Sequence, residues 1–423
     1  MSDAAEVTPG AHDGTPAPAL ALAECQDCGL RHRLGALPKG VVARCARCGA
    51  LLRGHSSLDG VLALALTGLV LMAVANLMPF MSVRLAGRVD DASLATGAWA
   101  LGGDGLWPLT VLILLLTIVM PALKLGATAY VLLALKLRRA PRRVVLVLRW
   151  LDRLHPWAMV EVYMLGIFVA YVRLADSATV VLGVAVYALA GLMLVMAAMD
   201  AMVDYEDLWD EVVRARLVTL PPAAPGQPLA RCQTCNHMAP WHGADTICPR
   251  CGAWVERRRR NSFARSWALI IAAAILYLPA NLFPIMTVIS FGTGAPDTIF
   301  SGVLHLLRVG EWPLAALVFF ASITVPVLKI CGLALLLVLA QRRSRWHLRE
   351  RTRLYRVIEA VGRWSMIDIF MLSILVALVR LGAVATVVPG VGAVSFASVV
   401  VLTMIAALVF DPRLMWDRAG ENR

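Results

Sequence analysis

The stretch Glu311-Trp-Pro-Leu-Ala-Ala-Leu-Val-Phe-Phe-Ala-Ser322-Ile-Thr-Val-Pro326-Val-Leu-Lys329, continuing apolar to Gln341, decides the fold class. It is long enough to cross a bilayer as a helix, which takes about 20 apolar residues. A lysine this deep in such a segment is expensive and is by default a functional candidate. The same cassette stands earlier as Thr117-Ile-Val-Met-Pro121-Ala-Leu-Lys124. The chain contains the arrangement twice.

Composition agrees. Of 423 residues, 59% are hydrophobic and 16% charged, and the mean hydropathy is +0.72. That balance lies outside the range of soluble domains and reads as an all-α polytopic membrane protein. The net charge of +12 does not argue for nucleic acid, because the arginines sit in short segments between apolar spans, where insertion rules put them. The chain opens on a polar Ala/Pro/Gly-rich stretch, so the first apolar run, from about Leu58, is expected to act as its own insertion signal.

Residues 1–22 have the composition of a disordered tail. Cys25-Gln-Asp-Cys28-Gly29 and Cys45-Ala-Arg-Cys48-Gly49 follow, with sixteen residues between the two knuckles. The second half has Cys232-Gln-Thr-Cys235-Asn236 and Cys248-Pro-Arg-Cys251-Gly252, with twelve between. Two residues between cysteines let both thiolates reach one ion, and Gly or Asn after the pair suits a turn needing positive φ. Two β-rich four-cysteine zinc ribbons are expected, at 23–55 and 230–258. Iron in an all-thiolate site, redox dithiols and disulfides are the alternatives. The ninth cysteine, Cys331, lies inside an apolar span and reads as packing.

Four apolar segments follow each ribbon, giving eight expected spans at 58–82, 107–135, 156–175, 179–203, 265–289, 312–340, 362–381 and 391–410. They form repeats at 56–211 and 259–417. A linker at 212–229 carries Pro221, Pro222, Pro225 and Pro228, and residues 418–423 form a tail. Asn76 and Pro79 match Asn281 and Pro284, Trp107-Pro108 matches Trp312-Pro313, and Pro121 and Lys124 match Pro326 and Lys329, all 205 positions apart. Trp157 and Glu161 match Trp364 and Asp368, Arg173 matches Arg380, and Trp209-Asp210 matches Trp416-Asp417, at 207. A nearly constant offset marks an internal duplication. With four spans per half, the halves have parallel topology.

Basic residues crowd the loop holding Lys136, Arg138, Arg139, Arg142, Arg143, Arg149 and Arg153, and the loop from Arg342 to Arg356. Opposite loops have few: Arg84 and Arg88 beside Asp90, Asp91 and Asp104, and Arg308 beside Asp297 and Glu311. Positive-inside places both termini and both ribbons in the cytoplasm, where thiols stay reduced. The run Arg257–Arg260 reads as a topology anchor. Segments 83–106 and 291–311 are expected to include short interfacial helices. Asn76 and Asn281, beside their prolines, either end helices or line a cavity where a helix breaks.

Each cassette proline removes one helix hydrogen bond, leaving the carbonyl of Thr117 or Ser322 without its donor, so a kink is expected beside each lysine. The partners expected for Lys124 and Lys329 are the acids of the next span, Glu161 and Asp368. Ser322, Lys329, Ser365, Asp368 and Thr403 make a candidate transport cluster, with Lys124 and Glu161 a less polar counterpart. The alternative for each pair is a static bridge that fixes helix packing. No nucleotide-binding loop, zinc-hydrolase motif or nucleophile elbow occurs, and no enzyme activity is expected.

Two CxxC/CxxC ribbons, each followed by four spans with Asn-Leu-x-Pro, Trp-Pro, Pro-x-Leu-Lys (Pro121-Ala-Leu-Lys124 and Pro326-Val-Leu-Lys329) and Trp-Asp elements, resemble the paraquat-inducible protein A family, including its LetA-like members. The resemblance runs from Cys25 to Asp417. It implies an inner-membrane protein that works with a periplasmic MCE-domain partner in phospholipid transport, and the Lys329/Asp368 pair is then the candidate for proton coupling. The competing expectations are a zinc- or redox-sensing membrane protein without a substrate and a small-solute transporter.

Overall fold

The computed structural model describes the chain except for residues 1–20, 36–40, 55–56, 86–87, 104, 138–142, 176–178, 222–225, 244, 291–292, 379–384 and 421–423. Nearly all of the expected 1–22 tail, half of the 418–423 tail, Asp104, Arg138, Arg139, Arg142, Pro222, Pro225 and Arg380 therefore lie outside the described residues, as do the side chains of Arg84, Arg88, Asp90, Asp91, Arg173, Arg363 and Asp368.

The first ribbon is two short antiparallel pairs, β1 (Ala21–Glu24) with β2 (Arg31–Leu34) and β3 (Ala43–Arg44) with β4 (Leu51–Arg53). Each knuckle turns at a glycine held at φ 73°, Gly29 and Gly49, which a side chain would strain. The first half then runs α1 (Leu58–Leu77), β5 (Met81–Leu85), β6 (Arg88–Ala92), α2 (Leu94–Gly103), α3 (Trp107–Lys136), α4 (Arg143–Leu154), α5 (Val160–Ala175), β7 (Thr179–Leu182), α6 (Val184–Met202) and α7 (Tyr205–Arg214). The second ribbon has β8 (Leu229–Arg231) paired with β9 (Met238–Pro240). The second half repeats the order as α8 (Ser262–Leu282), β10 (Met286–Ser290), β11 (Thr293–Asp297), α9 (Ile299–Val309), α10 (Trp312–Gln341), α11 (Leu348–Gly362), α12 (Ile367–Leu378), β12 (Ala385–Pro389), α13 (Val391–Val409) and α14 (Arg413–Arg418).

Among the described residues six helices, α1, α3, α6, α8, α10 and α13, are long and apolar enough to cross a membrane. In the expected third and seventh spans the described helices are shorter, α5 with 16 residues and α12 with 12. They pack on each other, with the Tyr163 and Phe370 rings edge to face at 5.5 Å. Protein rather than lipid surrounds α12, where Ile369, Phe370, Leu372, Ile374 and Val376 are all buried.

The short helices expected in 83–106 and 291–311 are α2 and α9, the latter opened by a reciprocal Thr298/Ser301 capping box and closed by Gly310 at φ 93°. The all-α expectation omits two three-stranded antiparallel sheets, ordered β6-β5-β7 and β11-β10-β12. Each takes its third strand from about a hundred residues downstream, pairing Val83 with Val180 and Val288 with Val387. A pairing that distant leaves no local signature beyond a short apolar run.

Helices α3 and α10 each carry a π-turn, Leu115–Val119 and Phe320–Thr324, where the amides of Met120 and Val325 reach back five residues to Leu115 O and Phe320 O. The α register restarts at Met120 and Val325, so Pro121 and Pro326 become second residues of new α stretches. There a missing N–H costs little, because early helix amides have no partner within the helix. The disturbance expected at the proline is thus taken up one turn before it. The Ser322 and Thr117 hydroxyls donate at 2.7 Å to Val318 O and Ile113 O.

Each ribbon stacks on the tail tryptophan of the half it does not lead into. The Arg47 guanidinium lies 5.1 Å from the Trp416 ring centre, and Arg250, at the same place in the second ribbon, lies 5.6 Å from Trp209. Glu24 bonds Arg258 at 3.1 Å and Arg413 at 3.2 Å. Arg250 bonds Glu206 at 3.2 Å and Asp210 at 2.7 Å. Arg258 also bonds Asp417, and Arg257 stacks on Trp241, so the Arg257–Arg260 run is engaged in this packing. Burial alone would raise the Asp411 carboxyl, but hydrogen bonds and charge from Arg413 hold it below the usual carboxylate range. Its contribution to stability is present at neutral pH and is lost as pH falls through that depressed value.

Candidate transport site and metal centres

Three residues past Pro326, Lys329 projects from α10 and is only 2% exposed. Its Nζ donates to Gly362 O at 3.3 Å and to Ser365 Oγ at 3.5 Å. Ser365 Oγ in turn donates to Gly362 O at 2.9 Å. Beside the ammonium lies a cavity of about 250 Å³, lined among others by Lys329, Arg356, Glu359, Gly362, Met404 and Ala407. A Cβ on Gly362 would come 3.5 Å from Lys329 Cε, so the lysine packs directly against backbone.

The expected cluster is brought together in part. Lys329 and Ser365 meet. Ser322, two turns away along α10, lines a separate cavity of about 40 Å³ with Met371 and Leu372. The Thr403 hydroxyl is spent on Val400 O of its own helix at 2.9 Å, although the neighbouring Met404 reaches the Lys329 cavity. Asp368 is the second residue of α12, and its side chain lies outside the described residues.

In the first half the expected pairing with Glu161 is replaced. Lys124, 1% exposed, has its Nζ 2.6 Å from Asp200 Oδ1 and 2.8 Å from Oδ2, on α6. Position 200 corresponds, at the offset of 207, to Ala407, and Ala407 lines the Lys329 cavity. One half neutralises its buried lysine with a carboxylate from the last long helix. The other puts a methyl group there and leaves a space. Comparing the halves at this offset would have found the asymmetry, because Asp200 is an acid in an apolar run. Looking only to the next span missed it.

Two further motif residues have their roles assigned. Asn76 Nδ2 donates to Met72 O at 2.8 Å and Asn281 Nδ2 to Tyr277 O at 2.9 Å, each satisfying a carbonyl of the last helical turn, which is helix termination. Cys331, expected to be packed, is exposed on the α10 surface, as an apolar thiol on a lipid-facing helix can be.

The eight ribbon cysteines form two buried sets, Cys25, Cys28, Cys45 and Cys48, and Cys232, Cys235, Cys248 and Cys251, with the sulfurs of each set within 4.8 Å of one another. Cys25 and Cys48, and Cys28 and Cys45, are 3.5 Å apart. The second set has 3.6 Å and 3.5 Å. A tetrahedral ion with bonds of about 2.3 Å requires sulfurs about 3.8 Å apart, whereas a disulfide requires about 2.05 Å. The donor set therefore fits a metal and all eight thiols are free. Purified protein is expected to carry two metal equivalents, and Cys25→Ser with Cys28→Ser to lower that to one by elemental analysis. Retention of two would refute the assignment of the first set.

A sequence model of the family described as "Paraquat-inducible protein A" matches residues 58–213 and again 263–420, one copy in each half. The chain is 34% identical over 405 residues, covering 94% of it and 96% of the relative, to "Intermembrane transport protein PqiA" of Escherichia coli (strain K12). It is 31% identical over 395 residues, 93% and 90%, to "Lipophilic envelope-spanning tunnel protein A" of the same organism. A "Probable intermembrane transport protein" of Haemophilus influenzae is 30% identical over 383 residues, 88% and 90%. No solved structure matches.

Proposed function

Because the chain belongs to the paraquat-inducible protein A family, we propose that it is the inner-membrane component of an MCE-type system that moves phospholipid between membranes, loading or receiving it on the face opposite the ribbons. The relatives' names support intermembrane transport. In this reading α5 and α12, with the 3-10 turns that precede them at His155–Trp157 and Arg363–Met366, complete eight crossings in two parallel repeats. The basic loops keep the ribbons and both termini cytoplasmic, and each ribbon holds zinc as a closed structural site. The two small sheets, on the side away from the ribbons, would then face the periplasm and a docked MCE-domain partner.

The observation that carries the mechanism is the missing counterpart of Asp200. A lysine buried in a bilayer is costly, and a cavity beside it gives room for a group to come and go. We read Lys329, with Ser365 and Asp368, as the place where a proton is taken up and released as the second half changes shape, while the Lys124–Asp200 bridge holds the first half in one arrangement. Photocrosslinking residues at Met404 and Leu408, which line the cavity, are expected to capture phospholipid in membranes. Capture of protein alone, or of nothing, while crosslinkers elsewhere on the second half take lipid, would place the lipid path elsewhere.

A further inference from the structure

Arg356, on α11, faces two ways. It lines the Lys329 cavity. Its Nε also donates to Asp27 Oδ2 at 2.6 Å, and its Nη2 to Cys48 O at 3.0 Å and Cys48 Sγ at 3.2 Å. Asp27 sits between the cysteines of the first knuckle and Cys48 is the last ligand of the second. One guanidinium therefore clasps both knuckles of the first ribbon.

A divalent ion held by four thiolates carries two net negative charges, and N–H donors to the sulfurs offset them. His32 Nε2 lies 3.3 Å from Cys45 Sγ, so among the described residues an arginine and a histidine nitrogen from outside the ligand set reach the first ribbon's sulfurs. In the second ribbon Arg250 is committed to Glu206 and Asp210, and among the described residues no arginine reaches its sulfurs. The ribbons also differ in what they touch. Among the described residues neither ribbon itself lines the Lys329 cavity, but Arg356 joins that cavity to Cys48 of the first.

We propose that Arg356 couples the metal state of the first ribbon to access into the Lys329 cavity. With metal bound, Asp27 and Cys48 are fixed and hold the guanidinium across the ribbon-side wall of the cavity. The ribbon's strands are two to four residues long, too short to persist without the ion. Loss of the metal releases Asp27 and Cys48 together, Arg356 loses three acceptors at once, and the wall opens toward the ribbons. The purpose of such a device rests on the cavity belonging to the transport path, but its operation does not.

The test uses the full chain in lipid nanodiscs with Cys331→Ser and Met404→Cys, so that a charged thiol reagent reports entry to the cavity. Modification at position 404 is read by peptide mass spectrometry, and zinc release to a chromogenic chelator is followed in parallel. Arg356→Ala is expected to speed labelling about tenfold, since charge-assisted hydrogen bonds are lost. It should also hasten release of one zinc equivalent while the second leaves at the parent rate. Arg356→Lys, which keeps the charge but not the fork, should fall between. Asp27→Asn should shift both readouts the same way, and it stands in if Arg356→Ala does not fold. Cys25→Ser with Cys28→Ser should open position 404, and Cys232→Ser with Cys235→Ser should not. Unchanged labelling and unchanged zinc release in Arg356→Ala, or equal acceleration of both zincs, would overturn the coupling.

Discussion

Replacing Gly390 with alanine is expected to destabilise the protein severely. A Cβ there would stand 2.2 Å from Pro284 O and 3.0 Å from Pro284 C. Neither is the tip of a flexible side chain, so relief requires moving backbone. That backbone is tied on both sides. The Gly390 amide donates to Ile285 O at 2.7 Å, the Gly392 amide donates to Pro284 O at 3.1 Å, and β12 ends at Pro389 against Met286 of β10. Overpacking in a core costs about 1–3 kcal/mol when side chains can yield, and here they cannot, so a loss of about 3 kcal/mol or more follows. The first half has the same contact, with Gly183 and Pro79 O at 2.1 Å. Gly302→Ala is the control: nothing lies within 4 Å of its Cβ, it is inside α9, and alanine is favoured there by about 1 kcal/mol. Thermal unfolding of detergent-purified protein should separate the two sharply. Equal midpoints for Gly390→Ala and the parent would mean that the Pro284 turn yields freely.

These glycines show how far the sequence could be read. Asn-Leu-x-Pro was visible as a repeated motif, and so were the prolines that end α1 and α8. What the motif packs against was not, because Gly183 and Gly390 are about a hundred residues from their prolines and a glycine carries no side-chain chemistry to flag it. The grouping of the eight cysteines into two buried sets of four was legible, since a knuckle is a local device whose spacing is its geometry. The long apolar helices were legible for the same reason. The strands β7 and β12, the crossing of each ribbon onto the other half's tail, and the Lys124–Asp200 pair depend on contacts between distant segments. For the lysine, the nearest acid along the chain was the wrong one, because helices that follow each other need not be the ones whose faces meet. The π-turns were hidden differently: proline announces a broken register but not which turn absorbs it.

Removing the two buried lysines should have opposite consequences, and the contrast is the sharpest test of the division between the halves. Lys124→Met leaves Asp200 facing apolar surroundings without its cation. Breaking a buried pair from one side costs about 3–5 kcal/mol, and the Asp200 side chain is 22% exposed, so the lower end of that range is expected, seen as lower yield and a lower unfolding temperature. Lys124→Met with Asp200→Ala removes both charges and should recover most of the loss, because Ala407 shows that the second half folds with alanine at that position. Lys329→Met is expected to leave folding closer to the parent than Lys124→Met does, since Gly362 O and Ser365 Oγ, which its ammonium meets among the described residues, already bond each other. Transport, measured by complementation of a strain lacking the protein, should fall to background. A Lys329→Met protein that is well expressed and transports normally would end the reading of this lysine as functional. If instead Lys124→Met abolishes transport without loss of stability, the working part lies in the first half, and the space beside Lys329 is only a packing defect.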